Sequence, residues 1–211
     1  LNAIKTGLEV AESKYCLVTM ADLSDDYEKV DEMVAMAEDG YDVVCGSRYM
    51  KGGHVYGGPF FKQLLSRFAG LSLYYFAKLP THDVTNSFKL YRKDMLRHIS
   101  IESVGGFELG MEITVKAFKK GYKIGEVPCS WWDRSFGKSK FQLWKWTPHY
   151  LRWFFYLPLT ASRKIIPRRS SLALSTYSFL NLKFILLGVA VLFLSAFYLV
   201  SAYHVYPAPG G

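Results

Sequence analysis

Short apolar runs alternate with longer stretches of helical period along the first two thirds of the chain. Residues 1–14, "LNAIKTGLEVAESK", read as a helix already under way, with Ile4, Leu8 and Ala11 on one face. The first residue is Leu1 rather than Met, so upstream sequence is expected. Residues 15–20 are strand-like. Over 27–39, Val30, Met33, Val34 and Ala37 follow the i, i+3, i+4, i+7 spacing of an amphipathic helix, and Gly40 stands where a C-terminal cap favours glycine. "YDVVCGSR" predicts a short strand, followed by a loop carrying Gly52, Gly53, Gly57 and Gly58. Pro59 opens a helix to about Lys78 whose apolar positions are Phe61, Leu64, Leu65, Phe68 and Tyr75. "SFKLYRK" alternates as a strand does, "FELGMEITVKAFKKG" is helical with Phe107, Met111, Val115 and Phe118 on one stripe, and "YKIGEVPCSWW" returns to strand.

Strands alternating with helices predict an α/β sheet covered on both faces. Ligands of such sheets collect at the C-terminal ends of strands, where "MADLSDD", "GSRY" and "CSWWDR" fall.

From Phe141 the pattern changes. In "FQLWKWTPHYLRWFFYLP", Leu143, Trp146, Tyr150, Trp153 and Leu157 recur at intervals of three and four, and Lys145, His149 and Arg152 share another face. Trp, Tyr and basic residues together predict a helix lying in a lipid headgroup layer; a helix packed on the domain is the alternative. Further on, residues 184–203 hold twenty positions without a formal charge. A helix there would extend ~30 Å, enough to cross a bilayer. The pattern thus divides the chain into a domain at 1–140, a basic amphipathic segment at 141–170 and a membrane anchor at 171–211.

Charge sharpens that division. The net charge of +8 arises beyond residue 133: residues 1–133 carry 16 Lys/Arg against 18 Asp/Glu, whereas 134–211 carry 10 Lys/Arg and no acid. A nucleic-acid partner is not expected, because the body is slightly acidic and the basic residues cluster beside a bilayer element. Arg163, Lys164, Arg168, Arg169 and Lys183 precede the expected span and no basic residue follows it, which puts the body on the cytoplasmic side of a single-pass anchor. Cys16, Cys45 and Cys129 are far apart and form no metal-ligand spacing, as expected of reduced, buried thiols. Composition, 50% hydrophobic and 17% aromatic, excludes a generally disordered chain.

The acidic stretch "TMADLSDDYEKV" follows a strand. Carboxylates at a strand end suit a divalent cation that holds the diphosphate of a nucleotide sugar. By spacing alone the stretch is better read as a helix start, with Ser24, Asp25 or Asp26 as cap.

Five blocks in order carry more information than any one of them: "MADLSDDYE", "GYDVVCGSRYMKGG", "LPTHDVTNSFKLYRK", "GGFELGMEITVKAFKKGYKIGEVP" and "DRSFGKSKF". Over residues 1–140 they resemble the polyprenyl-phosphate branch of the family 2 glycosyltransferases, the dolichyl-phosphate mannose synthase-like enzymes. The resemblance implies a GT-A, Rossmann-like α/β domain, here lacking its first strand or strands, that transfers a sugar from a nucleoside-diphosphate sugar to a polyprenyl phosphate using Mg²⁺ or Mn²⁺. Asp22 then matches the second acid of the family's Asp-Ala-Asp signature and the expected metal contact, with Asp25 and Asp26 as further candidates. Met20 replaces the first acid, a departure that bears on the metal's coordination. Arg48 and Arg67 match arginines around the lipid phosphate and diphosphate; the plain alternative for each is a solvated surface side chain. Asp83 matches an acid near the acceptor, expected to position rather than take a proton, or else it caps a turn. Glu112 matches a helix acid that orients arginines, against an i, i+4 pair with Lys116. Arg134, Ser139 and Lys140 match a basic loop that closes over the diphosphate, with Gly137 as its hinge. The rival readings are a family 2 enzyme with a non-phosphate acceptor and a catalytically impaired, membrane-docked scaffold.

Overall fold

The computed structural model describes residues 2–133 and 143–160. Helix α1 (Asn2–Val10) leads to strand β1 (Tyr15–Val18), a 3-10 turn (Tyr27–Lys29) and α2 (Val30–Glu38). Then come β2 (Val43–Ser47), β3 (His54–Tyr56), α3 (Phe60–Ala77), β4 (Lys89–Arg92), the short α4 (Lys93–Arg97), α5 (Leu109–Lys119), β5 (Ile124–Pro128), β6 (Ser130–Trp132) and α6 (Leu143–Thr160). The expected α/β class is present. Gly40 adopts φ +91° and Tyr41 N–H bonds Met36 O at 3.4 Å, closing α2 as the sequence predicts.

The main sheet has the order β1-β4-β2-β5, with β4 antiparallel to both neighbours and β2 parallel to β5. The registers Val18↔Lys89, Cys45↔Lys89 and Ser47↔Pro128 bring the C-terminal ends of β1, β2 and β5 to one edge, together with the N-terminal end of β4. A reversed strand delivers the residues preceding it, not those following it, to that edge. The direction of β4 therefore places Asp83 and Asn86 beside Arg48.

Both faces of the sheet are covered, as the five consecutive buried residues of β2 require. On one face Met33 and Ala37 of α2 pack with Val44, Leu90 and Val127. On the other, Gly110 of α5 lies close to the Lys89 Nζ and the Tyr91 hydroxyl. Lys89 occupies a strand position that alternation alone would make unremarkable, yet it is fully buried. Its ammonium donates to the carbonyls of Val84, at 3.1 Å, and Asn86. Burial lowers its pKa below the usual lysine value.

Two expectations change here. Residues 54–56, expected as loop, form β3, which pairs in parallel with β6 as a separate two-stranded sheet. The stripe of α6 expected to meet headgroups packs on protein: Trp153 and Leu157 are buried, Trp146 packs edge-on against Phe107 at 5.2 Å between ring centres, and the Tyr150 hydroxyl donates to Phe107 O at 2.7 Å. The reason is α5, whose outer side needs a cover and receives α6. No helix among the described residues is long and apolar enough to cross a membrane. The expected span at 184–203 lies outside the described residues, as does the basic loop with Arg134, Ser139 and Lys140.

Candidate active site

Arg48 leaves the end of β2 and meets Asp83 from the segment that precedes β4. Nε donates to Oδ2 at 2.6 Å and Nη2 to Oδ1 at 3.0 Å, a two-pronged pairing, while the Arg48 backbone N–H adds a third bond to Oδ2 at 3.1 Å. Nη2 also donates to Ser66 Oγ at 3.1 Å and Thr85 Oγ1 at 3.4 Å. Tyr49 OH donates to the same Ser66 hydroxyl at 3.0 Å, and the Ser66 and Thr85 hydroxyls lie 2.5 Å apart. Arg48 Nη1 hydrogen-bonds to none of the described residues.

Asp83 is fully buried and Arg48 largely so, and the energetics follow from that. Burial alone would raise the Asp83 carboxyl, but the Arg48 guanidinium beside it and their hydrogen bonds, with Lys89 nearby, hold it below the usual carboxylate range. Burial works against the Arg48 charge, and Asp83 more than restores it. Both groups therefore stay ionised at neutral pH. Asp83 also accepts Asn86 N–H at 3.2 Å, and Asn86 Nδ2 donates to Gly46 O at 2.9 Å, so the turn-capping and arginine-binding roles coexist in one carboxylate.

A second clamp sits one residue earlier. His82 offers its backbone N–H to Glu126 Oε2 at 2.7 Å and its Nδ1 pairs with Glu126 Oε1, while the ring stacks on Tyr74 of α3 at 3.8 Å. Glu126 lies on β5 opposite Cys45 of β2, so the segment carrying Asp83 is tied to the same strands that carry Arg48.

The three acids after β1 separate. Asp22 is half-buried and its Oδ1 accepts Ser24 N–H at 3.3 Å and Ser24 Oγ–H at 2.7 Å. Asp25 and Asp26 are buried and face other donors: Asp25 Oδ2 accepts Met20 N–H at 2.8 Å and Thr19 Oγ1–H at 3.0 Å, and Asp26 Oδ2 accepts Ser130 N–H at 2.9 Å. Burial raises the Asp25 carboxyl, against those two bonds. The helix-cap reading fails, since neither Asp26 before the 3-10 turn nor Lys29 before α2 makes a side-chain cap bond. The acids instead knit residues 19–26 to β6, where Trp132 N–H also donates to Ser24 O at 3.1 Å. Among the described residues no group of three His, Cys, Asp or Glu is placed to hold a metal ion. Asp22 fits an ion of magnesium type, which takes one or two carboxylates and fills its shell with phosphate and water oxygens.

Two other expected residues lie apart from this cluster. Arg67 is exposed on α3, and it is its neighbour Ser66 that reaches Arg48. Glu112 is buried and accepts Lys116 Nζ at 2.7 Å, Glu102 N–H at 2.6 Å and Ser103 N–H at 2.8 Å, which places it in the i, i+4 reading and in the support of the 100–105 segment. Sequence reasoning missed Ser66, Thr85, His82 and Glu126. Thr85 and His82 stood inside the quoted "THDVTNSF", and Ser66 was the one small polar residue of "QLLSRF".

With this geometry in view, the chain can be placed. Residues 1–100 match the model of glycosyl transferase family 2, the family that the sequence blocks resemble. The chain is 30% identical over 122 residues to the polyprenol monophosphomannose synthase of Mycolicibacterium smegmatis, covering 57% of this chain and 46% of that protein. It is 31% identical over 143 residues to the dolichol-phosphate mannosyltransferase of Pyrococcus furiosus, covering 66% of this chain and 39% of that protein. The matches span less than half the length of these curated relatives.

Proposed function

We propose that this protein is a membrane-anchored glycosyltransferase that moves a sugar from a nucleoside-diphosphate sugar to a polyprenyl phosphate at the cytoplasmic membrane surface. The observation that carries the reading is the Arg48 cluster: a largely buried, permanently ionised guanidinium at a strand C-terminal end, steadied on one edge by Asp83 and flanked by the Ser66 and Thr85 hydroxyls. Such a set offers N–H and O–H donors to phosphate oxygens. The names of the two relatives support the same kind of acceptor.

The lipid phosphate is already ionised at neutral pH, so its oxygen attacks the anomeric carbon without a strong base, and the C–O bond to the diphosphate breaks. Asp83 fixes the Arg48 fork rather than taking a proton. Asp22 would hold the divalent ion, Mg²⁺ or Mn²⁺, which when bound supplies charge to the departing diphosphate. Arg134, Ser139 and Lys140 keep the closing role that their sequence block gives them.

Full-length protein in membranes, given polyprenyl phosphate and labelled nucleotide sugars with metal present or chelated, tests this. Transfer to the lipid is expected from one donor, and no transfer from any donor sinks the reading. Arg48→Lys, which keeps the charge and loses the fork, is expected to lower the rate about 10²-fold. An impaired, scaffold-like role is the second reading, favoured by Met20 in place of an acid. In Met20→Asp, the Mg²⁺ concentration for half-maximal rate should fall while the rate at saturating Mg²⁺ stays; a large gain in that saturated rate favours the scaffold.

A further inference from the structure

The small sheet formed by β3 and β6 carries an aromatic ladder that the proposed chemistry does not use. The strands pair in the register His54↔Ser130, Val55↔Trp131 and Tyr56↔Trp132. Side chains alternate along a strand, so His54, Tyr56 and Trp132 share one face. His54 stacks on Tyr56 at 5.8 Å and Tyr56 on Trp132 at 5.7 Å, with ring planes 17° and 14° apart. The rings stay open to the outside, with Tyr56 49% and Trp132 45% exposed. Trp131 points the other way, close over Gly58.

Helix α3 starts just after the strand that carries His54 and Tyr56. Gln63 Nε2 donates to Gly57 O at 2.6 Å and Gly58 O at 3.2 Å, which pins the start of the helix to the end of β3. Phe60, 70% exposed, and Phe61 follow at once, and Leu64 is exposed one turn on. Charge identifies the partner. Residues 43–82 contain no Asp or Glu and five basic residues, Arg48, Lys51, Lys62, Arg67 and Lys78, whereas residues 1–42 hold eleven acids. The exposed Asp133 adjoins Trp132, but the stretch from β2 through α3 supplies only basic charge. Half-exposed Tyr and Trp rings, apolar side chains beside them and a basic segment are the composition of a surface that settles among anionic headgroups.

We propose that the His54–Tyr56–Trp132 ladder, with the first turn of α3, is the face by which this domain seats itself in the anionic headgroup layer of a lipid bilayer. This rests on the reading of the protein as an enzyme with a lipid acceptor. Ser66 then lies one turn beyond the seated residues, so the phosphate of a membrane-held lipid reaches the Arg48 cluster without leaving the surface.

The three cysteines are buried and burial pushes the Cys45 and Cys129 thiols up to about 11 and about 12, so an introduced exposed cysteine is labelled selectively. Tyr56→Cys, Phe60→Cys and Trp132→Cys, with Asp31→Cys on α2 as control, are labelled with an environment-sensitive fluorophore in the full chain. The proteins are reconstituted in vesicles of phosphatidylcholine and phosphatidylglycerol containing lipid spin-labelled near the headgroup. Quenching at 56, 60 and 132 is expected to exceed that at 31 severalfold and to weaken in vesicles of phosphatidylcholine alone. Quenching equal to that at 31 overturns the proposal. So does a blue-shifted emission that the spin label leaves untouched, the sign of a protein cover, or one that changes only with nucleotide sugar, the sign of ligand stacking. In Tyr56→Ser/Trp132→Ser, transfer to vesicle-borne polyprenyl phosphate should fall severalfold while transfer to a water-soluble short-chain prenyl phosphate is unchanged; equal loss on both, or loss on neither, also overturns it. If the unaltered protein transfers to neither acceptor, the enzymatic reading fails and the quenching alone decides the seating.

Discussion

Helices α3 and α5 are similarly rich in apolar residues and end in opposite situations. In α5 the residues from Met111 to Ala117 are all buried, including Glu112 and Lys116. In α3 the buried residues are Gly70, Ser72 and Leu73, while Phe60, Tyr75 and Phe76 face outward. The difference is the neighbours: α6 packs on both helices, but α5 also has the sheet on its other side. Periodicity along a helix states which residues share a face, not how many faces will be covered. Charge inside α5 is then held by pairing, and apolar surface outside α3 is left for a partner.

The comparison breaks most sharply at Glu112. Glu112→Ala removes one of the two carboxylates at a buried Lys116, the other being Glu102 at 2.6 Å, and the acceptor of two backbone N–H groups. It is expected to destabilise the fold by about 2–4 kcal/mol, chiefly the cost of leaving those N–H groups without an acceptor. Tyr75→Ser on the exposed side of α3 should change stability by less than about 0.5 kcal/mol. Urea denaturation of the two variants measures the contrast, and a cost at Tyr75 similar to that at Glu112 would mean that α3 is covered after all.

Asp83 tests the inward side of α3, where Ser66 meets the Arg48 pair. Its folded-state pKa is depressed, so its contribution to stability is complete above the unfolded value near ~3.9 and is lost as pH falls through the lower folded value. Asp83→Asn keeps one acceptor oxygen and loses the charge, at an expected cost of about 1.5–3 kcal/mol at neutral pH. Stability measured against pH should show the gap between variant and parent narrowing only on the acid side, below roughly pH 4. A gap that stays constant into acid would show that Asp83 is not the ionised partner of Arg48.

How much of this was legible in the sequence follows the same line. Helices α1, α2, α3, α5 and α6 and the strands β1, β2, β4 and β5 were readable because apolar spacing is local; the five-residue α4 and the division of "YKIGEVPCSWW" into β5 and β6 were not. β3 was not, since three residues between glycine pairs carry too little pattern. The reversal of β4 and the burial of Lys89 depend on pairing across the sheet, which no local pattern encodes. Asp83 and Arg48 were picked out singly by their block resemblance; that they bind each other, with Ser66 as third member, required the fold. Asp25 and Asp26 misled in the other direction, because an acid before a helix has the same sequence signature whether it caps that helix or bonds a strand a hundred residues away.

Two helical glycines supply a contrast of small effects that discriminates well. A Cβ on Gly7 of α1 would meet nothing within 4 Å, whereas one on Gly70 of α3 would lie 2.0 Å from the His82 carbonyl oxygen. Replacing glycine by alanine in a helix interior is worth roughly 0.5–1 kcal/mol where space allows. Gly7→Ala should therefore stabilise by that amount. Gly70→Ala should destabilise by about 1–3 kcal/mol, because the obstacle is backbone and cannot rotate away. The displaced carbonyl belongs to the residue before Asp83, so the clash moves the Arg48 cluster as well as the helix. Paired measurements of melting temperature and sugar transfer separate the cases: Gly7→Ala raises the first and leaves the second, while Gly70→Ala lowers both. A Gly70→Ala protein as stable and active as its parent would show that α3 does not press on the Asp83 segment, and that its inward face is as open as its outward one.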